Sequence, residues 1–107
     1  MFKMVIKEVG DQKVLFYYQE KEKVVEFISI EQYGDDDYSY WQNEILTSEL
    51  DFNNLEQSLF DWIVNPPQIC EGASSRGTLT DLAEELAPLI PSLKENVRDV
   101  EELVWIC

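Results

Sequence analysis

The chain has 107 residues, 22 of them acidic against 8 basic with no histidine, a net charge of −14, and 45% hydrophobic and 12% aromatic residues. That length fits one domain, 1–107, able to bury a core without disulfides or metal, and the apolar content excludes a disordered acidic tail. No apolar run approaches the roughly 20 residues of a membrane helix, and a charge of this sign disfavours nucleic acid and anionic membrane as ligands.

Lys3, Lys7 and Glu8 interrupt the first apolar stretch. A secretory signal requires continuous apolar character, so a cytoplasmic location is expected. From Phe2 to Val9 the pattern alternates with a period of two, which predicts a strand, and Gly10-Asp11-Gln12 reads as a turn. Val14–Gln19 and Val24–Ile30 are β-branched and aromatic, joined by the polar Glu20–Lys23. Short connections of this kind favour an antiparallel meander. Five of the eight basic residues are lysines within residues 1–23, where they also guard a sheet edge.

Glu31–Tyr40 is polar, acidic and aromatic around Gly34 and reads as a loop. Trp41–Leu46 fits a short strand or a helical turn, since periodicity does not decide between them. Asn53–Asn65 is the clearest helix, with Leu55, Leu59, Trp62 and Ile63 on one face and Asn53 and Glu56 spaced as a capping box. Trp62 therefore belongs to the core, while Trp105 has no assignment. Asn65-Pro66-Pro67 ends the helix, because a residue before proline avoids the α region. Gln68–Gly77 reads as a small-residue loop. Leu79, Leu82, Ala83 and Leu86 mark a second helix capped by Thr78 and stopped by Pro88 and Pro91. The tail fits a helix through Leu93, Val97, Val100, Val104 and Cys107, or a terminal buried strand over Leu103–Cys107. The predicted fold is α+β: an N-terminal antiparallel meander of three or more strands packed against two or three helices, with or without that C-terminal strand.

The residue types exclude most chemistries. Without histidine there is no Ser–His or Cys–His nucleophile, and the commonest general base and metal ligand is missing. Cys70 and Cys107 share no metal or redox spacing, and a reducing compartment leaves them as free thiols. The glycines form neither GxGxxG nor a P-loop. An EF-hand begun at Asp35 requires Gly at position 6 and Glu at position 12, where this sequence has Tyr40 and Leu46. Neither an enzyme nor a cofactor is expected.

Charge distribution points instead to binding. Residues 24–107 hold three basic and 18 acidic residues, and Val24–Ser75 holds no Lys or Arg against 11 acids. Ordinary surfaces mix both signs, and a one-sign field accelerates encounter with an opposite charge. Gln32–Glu44 joins Asp35, Asp36 and Asp37 to Tyr33, Tyr38, Tyr40 and Trp41, with Glu44, Glu49 and Asp51 following. Carboxylates accept bidentate bonds from arginine, and Tyr and Trp dominate interface hot spots. These ten residues are the candidate surface for a basic protein. The competing reading packs the aromatics under the sheet and leaves the aspartates as a solvated turn.

In size, acidity and expected location the chain resembles immunity proteins of the colicin, contact-dependent-inhibition and barstar-like kinds. The resemblance is one of class, with no shared motif and no residue roles carried over. It implies an antitoxin that covers the basic active site of a cognate nuclease toxin. The alternatives are a phage-type nucleic-acid mimic that inhibits a host defence complex, and an acidic adaptor without catalysis.

Overall fold

The computed structural model describes residues 2–9, 12–65 and 73–101. Five strands follow in order: β1 (Lys3–Val9), β2 (Gln12–Glu20), β3 (Val24–Gly34), β4 (Asp37–Leu46) and β5 (Ala73–Gly77). They form one sheet in the order β1-β2-β3-β4-β5, every neighbouring pair antiparallel. The helices are α1 (Leu55–Val64), α2 (Leu79–Leu86), α3 (Pro91–Glu95) and α4 (Val97–Glu101), with single 3-10 turns at Thr47–Glu49 and Phe52–Asn54. The α+β meander expected from the sequence is thus present, extended by two strands.

Strand alternation sorts the apolar residues onto two faces. Leu15, Tyr17, Ile28, Ile30, Tyr38 and Tyr40 meet Leu79, Leu82, Leu86, Leu93 and Val100 from α2–α4. On the opposite face Val5, Phe16, Tyr18, Val25, Phe27 and Ile45 meet Leu59, Phe60 and Ile63 of α1. Trp62 packs against this second core edge-on to Phe27, with ring centroids 5.3 Å apart. The sheet is therefore sandwiched between helices, which accounts for the long apolar runs in β2 and β3.

Three local readings are corrected. Glu31–Tyr40 is a hairpin, not a loop: β3 runs to Gly34, Asp35 and Asp36 form the turn, and β4 begins at Asp37. The aspartates masked the strand signal, but Tyr38 and Tyr40 alternate with Ser39 and Trp41 and fill a pleated face. A register shift between Gln32 and Gly34 places Tyr33 at a bulge. Ala73–Gly77 is an edge strand, defined by pairing with β4 and not by its own small residues; residues 68–72 lie outside the described residues. Asn53 does not cap α1. The helix starts at Leu55 after the 3-10 turn, and Asp51 Oδ1 accepts from the Asn53 N–H at 3.0 Å.

Other local signals hold. Thr78 Oγ1 accepts from the Asp81 N–H at 3.1 Å and Asp81 Oδ2 accepts from the Thr78 N–H at 3.4 Å, a reciprocal capping box. Trp41–Leu46 is strand, α1 ends at Val64, and Val97–Glu101 is helical. Cys70, Trp105, Cys107 and the proposed terminal strand lie outside the described residues.

Candidate functional site

The site follows from unequal coverage of the two sheet faces. Three helices cover one face. On the other, α1 has 10 residues against 11 in β3, so at about 1.5 Å per helical residue and 3.3 Å per strand residue it spans less than half the length. It covers the end of the sheet nearest the β2–β3 and β4–α1 connections and leaves the β3–β4 hairpin end bare. The strand pattern matches this coverage. On the α1 side, β3 reads Val25, Phe27, Ser29, Glu31 and Tyr33, apolar where α1 lies and polar beyond it.

The registers build a cavity there. Ser29 pairs with Trp41 and Glu31 with Ser39 across β3–β4, while Trp41 pairs with Ser74 and Ser39 with Arg76 across β4–β5. Small serines thus alternate with large side chains on one face. Ser29, Ser39, Ser74 and Ser75 line a shallow cavity of about 440 Å³ together with Glu31, Tyr33, Tyr40, Trp41 and Arg76, with Ser29 the most deeply buried of the serines. Ser29 is 1% exposed, and its Oγ has no hydrogen-bond partner. An unmatched buried hydroxyl costs free energy, so this position is not explained by packing.

Arg76 organises the rim. Its Nε and Nη2 donate to the two carboxylate oxygens of Asp37 at 2.9 and 2.6 Å, a bidentate fork. Its guanidinium lies 4.9 Å from the Tyr33 ring centroid. The Arg76 hydrogen bonds hold the Asp37 carboxyl below its ordinary pKa, and Asp37 raises that of Arg76. The Tyr33 hydroxyl donates to Glu31 Oε2 at 2.8 Å. Among the described residues Glu31 forms no ion pair with Lys or Arg.

The ten candidate residues do not form one surface. Tyr33 is 59% exposed and Asp35 and Asp36 are exposed at the turn. Asp37 and half-buried Trp41 adjoin them on the α1 side. Tyr38 and Tyr40, at 2% and 6% exposure, are core residues beneath α2–α4 rather than exposed partner contacts, although Tyr40 also contributes to the cavity lining. The Tyr40 hydroxyl donates to Glu85 Oε1 at 3.0 Å. Burial, then Glu85, raises its pKa. Glu44 lies seven residues along β4 from Asp37, about 24 Å at strand rise, and 3.7 Å from Lys21. Glu49 is exposed in a 3-10 turn and Asp51 caps the next one, both beyond that far end. The expected continuous acidic surface is therefore two separate regions.

Ser29, Glu31 and Arg76 were not among the sequence candidates. Arg76 had a signal: it is the first basic residue after a stretch from Val24 to Ser75 without any, and such a residue is the natural counter-ion for the aspartates. Ser29 is a lone hydroxyl inside the apolar run Val24–Ile30.

Among the described residues no group of three or more acidic or cysteine side chains is placed to hold a metal ion. No helix among them is long and apolar enough to cross a membrane. No family model matches the chain, and no curated protein or solved structure matches it.

Proposed function

We propose that this protein is a non-catalytic inhibitor that binds a basic protein, and that the partner is a nuclease toxin whose phosphate-binding cleft it covers. The observation that carries the reading is the hairpin tip: Asp35 and Asp36, exposed and beside exposed Tyr33, in a chain of net charge −14. Carboxylates there stand where phosphates would lie, and the aromatic rings add stiff contact area. The absence of histidine from the sequence supports a binding role over acid–base chemistry.

The test is affinity capture from native lysate at low and high salt, using the wild-type chain and Asp35→Asn/Asp36→Asn. The expected result is one basic nuclease, retained stoichiometrically and more weakly held by the variant, with the difference largest at low salt. Capture of a large DNA-binding assembly would move the reading to a nucleic-acid mimic. Equal capture by both proteins would remove the hairpin from the interface.

A further inference from the structure

We propose that the cavity beside the hairpin is a receptor for one arginine side chain of the protein partner. The inference rests on the binding role proposed above and names the group that the site reads. Four observations carry it.

Charge around the cavity does not balance. Glu31 and Arg76 line it, but Asp37, outside the lining, takes both short bonds of the Arg76 guanidinium. Glu31 has the Tyr33 hydroxyl as its hydrogen-bond partner and makes no ion pair among the described residues. The missing element is one cation.

The walls suit a flat cation. Tyr33 and Trp41 line the cavity, and aromatic faces attract cations, above all the planar guanidinium. The molecule itself displays this chemistry, since Arg76 sits on the Tyr33 ring at 4.9 Å.

The floor carries a hydroxyl without a partner. Ser29 is 99% buried, lines the cavity and leaves Oγ unmatched. A guanidinium has five N–H donors in a fixed fork and no acceptor. With Glu31 taking two donors, a third would satisfy the serine oxygen once the side chains that close it off from solvent shift. An anionic ligand would meet Glu31 and Asp37, and an apolar one would leave the hydroxyl unmatched.

The dimensions fit a single side chain. A shallow cavity of about 440 Å³ lies at the low end of small-molecule sites, and the exposed hairpin places it within reach of a protein surface.

The experiment is a two-dimensional NMR titration of the full chain with Nα-acetyl-arginine amide, its citrulline analogue and its lysine analogue. Arginine is expected to move the Trp41 indole and Ser29 amide signals in a saturable way, with a dissociation constant on the order of 1–10 mM for so small a ligand. Citrulline, which is isosteric and uncharged, is expected to bind at least about tenfold more weakly, and Glu31→Gln to weaken arginine by about tenfold.

Ser29→Ala separates binding from folding. Removing an unmatched buried hydroxyl leaves the melting temperature equal or higher, yet arginine affinity falls about three- to tenfold if Oγ accepts from the ligand. Unsaturable shifts spread over the acidic surface, equal response to citrulline, or unchanged affinity in both Glu31→Gln and Ser29→Ala would overturn the proposal. The two readings fail separately. A captured partner held equally well by Glu31→Gln removes the cavity and keeps the binding role. Saturable arginine binding without any basic partner in lysate keeps the cavity and removes that role.

Discussion

Glu26 offers a quantitative check on the fold, because it is an acid buried in the sheet. It is 6% exposed, on the side of the sheet covered by α2–α4. Its carboxylate accepts from Gln19 Nε2 at 2.8 Å, Gln42 Nε2 at 2.9 Å and Lys21 Nζ at 2.8 Å. Burial alone would raise its pKa. The bonds from Lys21, Gln19 and Gln42 outweigh burial and lower it. In Glu26→Gln one of the two acceptor oxygens becomes an NH2 group facing a donor. Losing one hydrogen bond to a charged acceptor and leaving a donor unmatched costs about 1–3 kcal/mol. With a urea m-value of about 2 kcal/mol/M, the unfolding midpoint falls by roughly 0.5–1.5 M.

The pH dependence has a definite sign. A carboxyl whose folded pKa lies below its unfolded value of 4.5 stabilises above that value, and the contribution disappears as pH falls through the lower folded pKa. Urea titrations of wild type and Glu26→Gln between pH 7 and pH 3 should show a constant gap above about pH 5 that narrows on acidification. Glu44→Gln, exposed and 3.7 Å from Lys21, should leave the midpoint unchanged. A Glu26→Gln gap that is absent at pH 7, or that widens towards pH 3, would refute the network.

Thr78→Ala removes the oxygen that accepts from the Asp81 N–H at the start of α2. It should lower stability by about 1 kcal/mol and the melting temperature by about 4–8 °C, read by circular dichroism. Tyr40→Phe deletes the bond to Glu85 and should cost about 1 kcal/mol while partner affinity, measured by calorimetry, stays unchanged. Weaker partner binding at unchanged stability would return Tyr40 to the interface.

Legibility in the sequence tracked the range of the interaction that determines each feature. The strands of the first 30 residues, the apolar stripe of α1 and the Thr78 cap are written in neighbouring residues, and each was readable. The Thr78–Asp81 box is closed by hydrogen bonds three residues apart. Strand β5 was not readable, because Ala73–Gly77 has little intrinsic β preference and is strand only where β4 offers it an edge. The hairpin failed for a different reason. Three aspartates dominate a short window, and two of them occupy a turn while the third joins a strand and pairs with Arg76, 39 residues away. The cavity needs the β3–β4 and β4–β5 registers together, and no local pattern encodes both.

The same registers argue against a purely diffuse electrostatic role. Along one row of the α1-side face, β3, β4 and β5 present Glu31, Ser39 and Arg76 in sequence. On β2, Val14 is the residue before Leu15, which pairs with Ile30, and β1 then offers Lys7, which pairs with Val14. The row reads basic, apolar, acidic, polar, basic. A surface built only to repel anions and attract any cation would not place Lys7 and Arg76 on either side of Glu31. Each of these cations stands two strands from Glu31, about 9.6 Å at a strand spacing of about 4.8 Å, slightly beyond the Debye length of about 8 Å at physiological salt, so each offsets the field at Glu31 only in part. The overall charge then governs how fast a basic partner arrives. On the proposal above, how long it stays depends on whether it carries a cation where Glu31, Tyr33 and Trp41 line the cavity. If the proposed binding role holds, discrimination among basic partners is expected to lie in this row and not in the excess of acids over bases.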